Sequence, residues 1–236
     1  MSFLIAVYVN EGIVLASDRR STYSNTTVIE GKVIQRIGIH TTNSTDKTFL
    51  CQNGAGISTC GDASLKGKPI TGYIQDMIRT RISKETRVDD IPQIIIDYFH
   101  AIGDVPNTNF IVAGYQDKEN YKKQSVYIVR IKNREIIPVD TTSQGASWEG
   151  EILTLTRLLK NVALVDETGN VQLLPFEPIL FEYFTLQDAI DFARYAVETT
   201  IQTMRFKNVV ETVGGEVDIL VITPDETKWL QKAELK

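Results

Sequence analysis

Met1-Ser-Phe-Leu-Ile-Ala-Val-Tyr-Val-Asn-Glu-Gly-Ile-Val-Leu-Ala-Ser-Asp-Arg-Arg20 is the stretch from which the rest of the chain is read. Phe3 to Val9 is an almost unbroken apolar run rich in β-branched and aromatic residues. It is too short to cross a membrane and reads as a buried strand. Asn10-Glu11-Gly12 signals a turn, and Ile13 to Ser17 is a second buried strand. A hairpin centred near Glu11 sets Ser2 opposite the region of Asp18 and Arg19. Ser2 becomes the first residue if Met1 is removed, and a small second residue suits that removal. A free α-amine titrates near about 7.7 to 8, so it can act as general base for its own hydroxyl. The hairpin thus gathers a nucleophile, a base and a carboxylate.

Outward from the hairpin, Lys47-Thr-Phe-Leu50 opens a strand. Gly54 to Gly61 is a second, glycine-rich strand, ending in Ile57-Ser-Thr-Cys-Gly-Asp-Ala63. Near the C-terminus, Thr212-Val-Gly-Gly-Glu-Val-Asp-Ile-Leu-Val-Ile-Thr-Pro224 carries a Gly-Gly turn and then a buried strand with Asp218. With Gly12-Ile-Val-Leu-Ala-Ser-Asp-Arg-Arg20 and Ser21-Thr22, these segments make the chain resemble a bacterial proteasome β-type subunit, one of the N-terminal-nucleophile hydrolases.

The resemblance implies a peptidase or amidohydrolase with Ser2 as nucleophile and Asp18, sixteen residues later, as the catalytic carboxylate. It makes Lys47 the catalytic lysine. Lys32 fits better by simple distance from Asp18, but the flanking Thr48 and Phe49 favour Lys47. Ser58 stands where the family has a glycine whose backbone N–H stabilises the oxyanion, a role that needs only the amide. Ser147, in Gln144-Gly-Ala-Ser-Trp148, is the nearest hydroxyl to the family's G-S-G-S turn, with Ala146 as the alternative equivalent. The resemblance also implies self-association and peptide or amide substrates, and it calls for no metal or organic cofactor. An unfolding partner is not identified by the sequence. Two departures stand out. Compared with the typical family pattern, about a dozen residues are inserted somewhere between Thr22 and Asp46. The D-x-x-S expected before the Gly-Gly turn is replaced by Val210 and Val213, with Glu211 one place off.

Elsewhere, Thr22 to His40 reads as one or two strands turning at Glu30-Gly31-Lys32, with Val28, Val33, Ile34, Ile37 and Ile39 inward. Thr41 to Asp46 is a polar loop. Asp62 is expected to cap a helix from about Ala63 to Ile82, and a second helix runs from about Asp90 to Ile102. Asn109 to Tyr115 and Ser125 to Ile131 form a hairpin, and Arg134 to Val139 is a third strand. A helix is expected over roughly Glu149 to Leu159 and a long amphipathic one over Leu186 to Phe206. Between them, Asn161 to Phe184 has no family counterpart and suits a lid or a subunit contact. Trp229 closes a last short strand. No linker or repeat divides the chain, so one domain over residues 1–236 is expected. The order of elements fits an α+β fold, a four-layer αββα sandwich of two antiparallel sheets between helical layers.

Other chemistries find little support. A formal net charge of −5 argues against a general nucleic-acid binder. Gly54-Ala-Gly56 lacks the third glycine of a dinucleotide loop, since Thr59 stands there. Two histidines, His40 and His100, and no nucleophile-elbow motif leave a Ser-His-Asp triad without a basis. No His/Cys cluster has metal spacing. Cys51 and Cys60 read as small buried groups in a reducing cytosol, and no basic leader precedes Phe3, so a cytoplasmic, non-membrane protein is expected. Two other functions remain open: a non-catalytic assembly or binding protein keeping the fold, and an amide transferase using the same acyl-enzyme.

Overall fold

The computed structural model describes residues 2–29 and 32–234. In chain order its elements begin with β1 (Phe3–Val9), β2 (Gly12–Asp18), β3 (Ser21–Ile29), β4 (Lys32–Thr42), β5 (Thr48–Leu50) and β6 (Gly56–Gly61). Next come β7 (Ser64–Leu65), β8 (Lys68–Pro69), α1 (Ile70–Arg81), α2 (Ile91–Ile102), β9 (Thr108–Asp117), β10 (Lys122–Arg130) and β11 (Glu135–Pro138). The chain closes with β12 (Gly145–Gly150), α3 (Leu153–Leu159), β13 (Ala163–Val165), β14 (Val171–Leu173), α4 (Leu186–Arg205), β15 (Val217–Ile222) and β16 (Thr227–Gln231).

The opening hairpin forms as its composition dictates. Every residue of β1 and β2 is buried, which is why the sequence shows apolar runs rather than alternation. Leu4 faces Ser17 and Val9 faces Gly12, a register that brings Phe3 level with Asp18. This hairpin is the middle of a five-stranded sheet, β12-β1-β2-β15-β16. A second five-stranded sheet runs β11-β10-β9-β6-β5. The strand pairs in both sheets are antiparallel. The protein is thus of the α+β class.

Three apolar clusters tie these parts together. Phe3, Ile5, Val7 and Val14 of the first sheet pack with Ala189, Ala193, Ala196 and Val197 of α4. Thr185 and Asp188 start that helix with a reciprocal capping box. Ile57, Phe110 and Val112 of the second sheet pack with Ile74 and Met77 of α1 and Ile95 and Phe99 of α2. Leu4, Ala6 and Leu15 meet Ile111, Ala113 and Val126, so a third cluster joins the inner faces of both sheets.

Three expectations are corrected. The helix expected from Ala63 begins only at Ile70, because Lys66 and Gly67, both with positive φ, turn the chain into the small β7–β8 hairpin first. Asp62 caps no helix; its carboxylate accepts the Asn107 amide at 2.7 Å. The helix expected from Glu149 starts at Leu153, since Gly145 to Gly150 instead completes the edge of the first sheet against β1. In the insertion, β3 and β4 pair as a two-stranded ribbon. Ile34 and Ile39 are 38% and 55% exposed, not inward. The side chains of Val28, Val33 and Ile37, and the turn residues Glu30 and Gly31, lie outside the described residues. No helix among the described residues is long and apolar enough to cross a membrane.

Candidate active site

The end of the hairpin meets the end of β6 in a narrow cleft. Ser2, Ser21, Thr22, Lys47, Thr59 and Gly61 are among the residues that line it. Asp18, at the last position of β2, is fully buried and saturated with donors. One oxygen accepts Phe3 N–H at 3.1 Å and the Lys47 ammonium at 2.8 Å. The other accepts the Arg20 amide at 3.0 Å and the Gly214 amide at 2.9 Å. Four donors on one carboxylate make it a fixed anchor joining both ends of the chain.

Lys47 sits just before β5 and is 3% exposed. Its ammonium donates to Asp18 Oδ1 at 2.8 Å and also to the Arg20 carbonyl. Burial pushes its pKa below the ordinary lysine range, and the Asp18 carboxylate pulls it back toward the charged form. Lys32, the rival by spacing, lies at the tip of the β3–β4 ribbon, exposed and paired with Ile29. Lys47, not Lys32, is the lysine that the structure pairs with Asp18.

Ser58 is not where the resemblance puts it. The Thr59 amide donates to the Lys47 carbonyl at 2.8 Å, so alternation turns the Ser58 amide the other way, toward its partner Ile111 in β9. The Ser58 hydroxyl is buried and shares a 2.8 Å hydrogen bond with Thr48, which shares another of 2.8 Å with Ser17. Thr59, Cys60 and Gly61 line the cleft instead. By strand alternation the amide of Gly61, the last residue of β6, falls on the same edge of the strand as that of Thr59.

Ser147 is likewise set apart. It faces Ala6 in the β12–β1 ladder, four positions along β1 from Ser2 or about 13 Å at strand rise. Ala146 faces Val7, one position further. The turn that reaches Ser2 is Gly150-Glu151. Gly150 has φ +93°, and a Cβ there would lie 1.8 Å from the Ser2 carbonyl oxygen. That oxygen accepts the Glu151 amide at 2.8 Å. The signal was the glycine that ends β12 shortly before the helix, masked by the rival glycine at Gly145.

The Gly-Gly turn supplies the remaining wall. Gly214 gives its carbonyl to the Arg19 amide at 3.0 Å as well as its amide to Asp18. Val213, where a polar side chain was expected, is buried in the core against α4. Thr212 beside it is buried and donates to Glu151 Oε1 at 3.3 Å. Behind the site, Arg19 is 2% exposed and donates to Asp46 and Asp218, each at 2.7 Å, and to the Ser44 carbonyl at 3.1 Å. Asp218 has its pKa raised by burial, against the Ala233 amide and Arg19, which favour its charged form. The Cys60 thiol is pushed up to about 12 by burial, so it stays protonated.

The arrangement of the two antiparallel sheets and their helices is similar to that of several solved structures. Among solved structures, Anbu from Hyphomicrobium sp. strain MC1 matches with a TM-score of 0.58 and 14% identity, over 98% of this chain and 88% of its own. Its Gly-1 mutant matches at 0.61 and 14%, over 98% and 86%. Anbu, an ancestral β-subunit, from Yersinia bercovieri matches at 0.55 and 11%, over 98% and 87%. At these identities the likeness is one of fold. No family model matches the chain, and no curated protein matches it in sequence.

Proposed function

We propose that the protein is an N-terminal-nucleophile amidohydrolase acting on peptide or amide bonds, built as one domain with the two sheets between helical layers. With Met1 removed, Ser2 presents a hydroxyl and an α-amine at the cleft. The hydroxyl proton passes to the amine as Oγ bonds to the substrate carbonyl carbon. That proton then leaves with the departing amine as the C–N bond breaks, and water releases the acyl group by the reverse sequence. Lys47 lowers the pKa of the hydroxyl, and Asp18 keeps Lys47 charged. The Gly61 amide, in place of Ser58, is the oxyanion donor in this reading.

The observation that carries the proposal is the buried Lys47–Asp18 pair at 2.8 Å on the wall of the cleft that holds Ser2. A buried ion pair is a costly way to gain stability alone, so its place at a cleft favours chemistry. The fold neighbours support self-association, and no cofactor is required. A panel of fluorogenic peptide amides tests the reading: hydrolysis lost in Ser2→Ala supports it, and hydrolysis that survives in Ser2→Ala excludes Ser2 as nucleophile. A second reading, a non-catalytic assembly or binding protein, draws on Val213, whose apolar side chain replaces an expected polar one. Absence of any Ser2-dependent turnover favours it.

A further inference from the structure

We propose that Glu151, held by Thr212, orients the α-amine of Ser2. The proposal rests on the reading of Ser2 as an N-terminal nucleophile. The main chain of Ser2 is fixed from several sides. Its carbonyl accepts the Glu151 amide at 2.8 Å. The following amide, that of Phe3, donates to Asp18 at 3.1 Å. Asp18 also takes Gly214, and the segment leading to Gly214 carries Thr212. The buried Thr212 hydroxyl donates to Glu151 Oε1 at 3.3 Å. The Glu151 carboxylate is therefore held by Thr212, on a residue whose own backbone amide is bonded to Ser2.

The other titratable groups at the cleft are already committed. Asp18 has donors on both oxygens. Lys47 is a cation and repels an ammonium. Cys60 is protonated. Asp46 holds Arg19 and lies 3.8 Å from Lys232, and Asp62 holds the Asn107 amide. Glu149, at the end of β12, holds Arg130 and Asn109. Among the described contacts the Glu151 side chain takes only the Thr212 hydroxyl, on Oε1, so in this proposal its other oxygen accepts from the amine. Its position after Gly150 arises because only glycine leaves room for the Ser2 carbonyl there. Glu151 acts through the amine and is a positioning residue.

The test is competitive labelling of the Ser2 α-amine with a small acylating reagent over a pH series, read by mass spectrometry. A nearby carboxylate raises the amine's pKa. Glu151→Gln keeps the backbone amide and the shape and removes the charge. The pH of half-labelling should fall by about one unit, the usual size of such perturbations. Thr212→Val should move it the same way by less, and Thr212→Ser should leave it unchanged. Half-labelling unchanged in both Glu151→Gln and Thr212→Val overturns the proposal. If Glu151→Gln does not fold, the Thr212→Val and Thr212→Ser pair decides it. Retained Met1 in the purified chain sinks the reading of Ser2 and this proposal together, whereas a lost Met1 with an unmoved titration sinks this proposal alone.

Discussion

The site depends on two buried ion pairs that fall on neighbouring residues. Asp18 holds Lys47, and Arg19 holds Asp218, with all four side chains buried. Removing one member leaves an uncompensated buried charge, which costs roughly 3 to 5 kcal/mol. Lys47→Ala is therefore expected to lower stability by about that amount and to abolish acylation of Ser2. Lys32→Ala, at an exposed ribbon tip, should cost under about 0.5 kcal/mol. Paired thermal melts and acylation assays check both, and damage from Lys32→Ala alone would refute the assignment. The cysteines give an independent check on packing. Burial raises both thiols to about 12. Their contribution to stability is present below the unfolded thiol pKa of about 8.5 and is lost as pH rises toward the folded value. Native protein should resist alkylation at neutral pH and release both thiols only on unfolding. Rapid native labelling would contradict the packing of β6.

At the scale of elements, the joint between β1 and β12 sets the position of Ser2. Gly150→Ala puts a Cβ against the Ser2 carbonyl, in a backbone conformation that L side chains avoid. It should destabilise by more than about 2 kcal/mol and suppress acylation even though Ser2, Asp18 and Lys47 are intact. Gly67→Ala is the control: its φ is +74°, but nothing lies within 4 Å, so it should cost only about 1 kcal/mol and leave acylation alone. Equal losses of acylation in the two variants would refute the role of the joint. The sequence made β1, β2 and Asp18 legible because continuous burial leaves an apolar run and a short turn fixes the register. Lys47 was legible from its flanking residues. Gly145 to Gly150 hid its strand character, since it holds two glycines and no β-branched residue, and the helix that follows drew the reading forward. Contacts between distant segments left no local signal. Thr212 meets Glu151 across 61 residues, and Arg19 meets Asp218 across 199.

At the scale of the whole molecule, two segments extend from the packed sheets. The β3–β4 ribbon is one, and the β13–β14 hairpin is the other. Leu164, Val165, Val171 and Leu173 on that hairpin are each more than half exposed, and none of them lines the Ser2 cleft. Replacing residues 162–174 by a short flexible loop should therefore leave the melting temperature of the remaining fold within a few degrees, about 4 °C or less. A large drop would mean that the hairpin belongs to the folding core. The proposed chemistry requires Ser2 to be a free N-terminal nucleophile beside Lys47. Intact mass before and after an acylating inhibitor that requires both a hydroxyl and a free α-amine tests this most directly. The expected result is a chain lacking Met1 that gains one adduct, mapped to the Ser2 peptide and absent in Lys47→Ala. A chain that retains Met1, or an adduct that maps elsewhere, would contradict it.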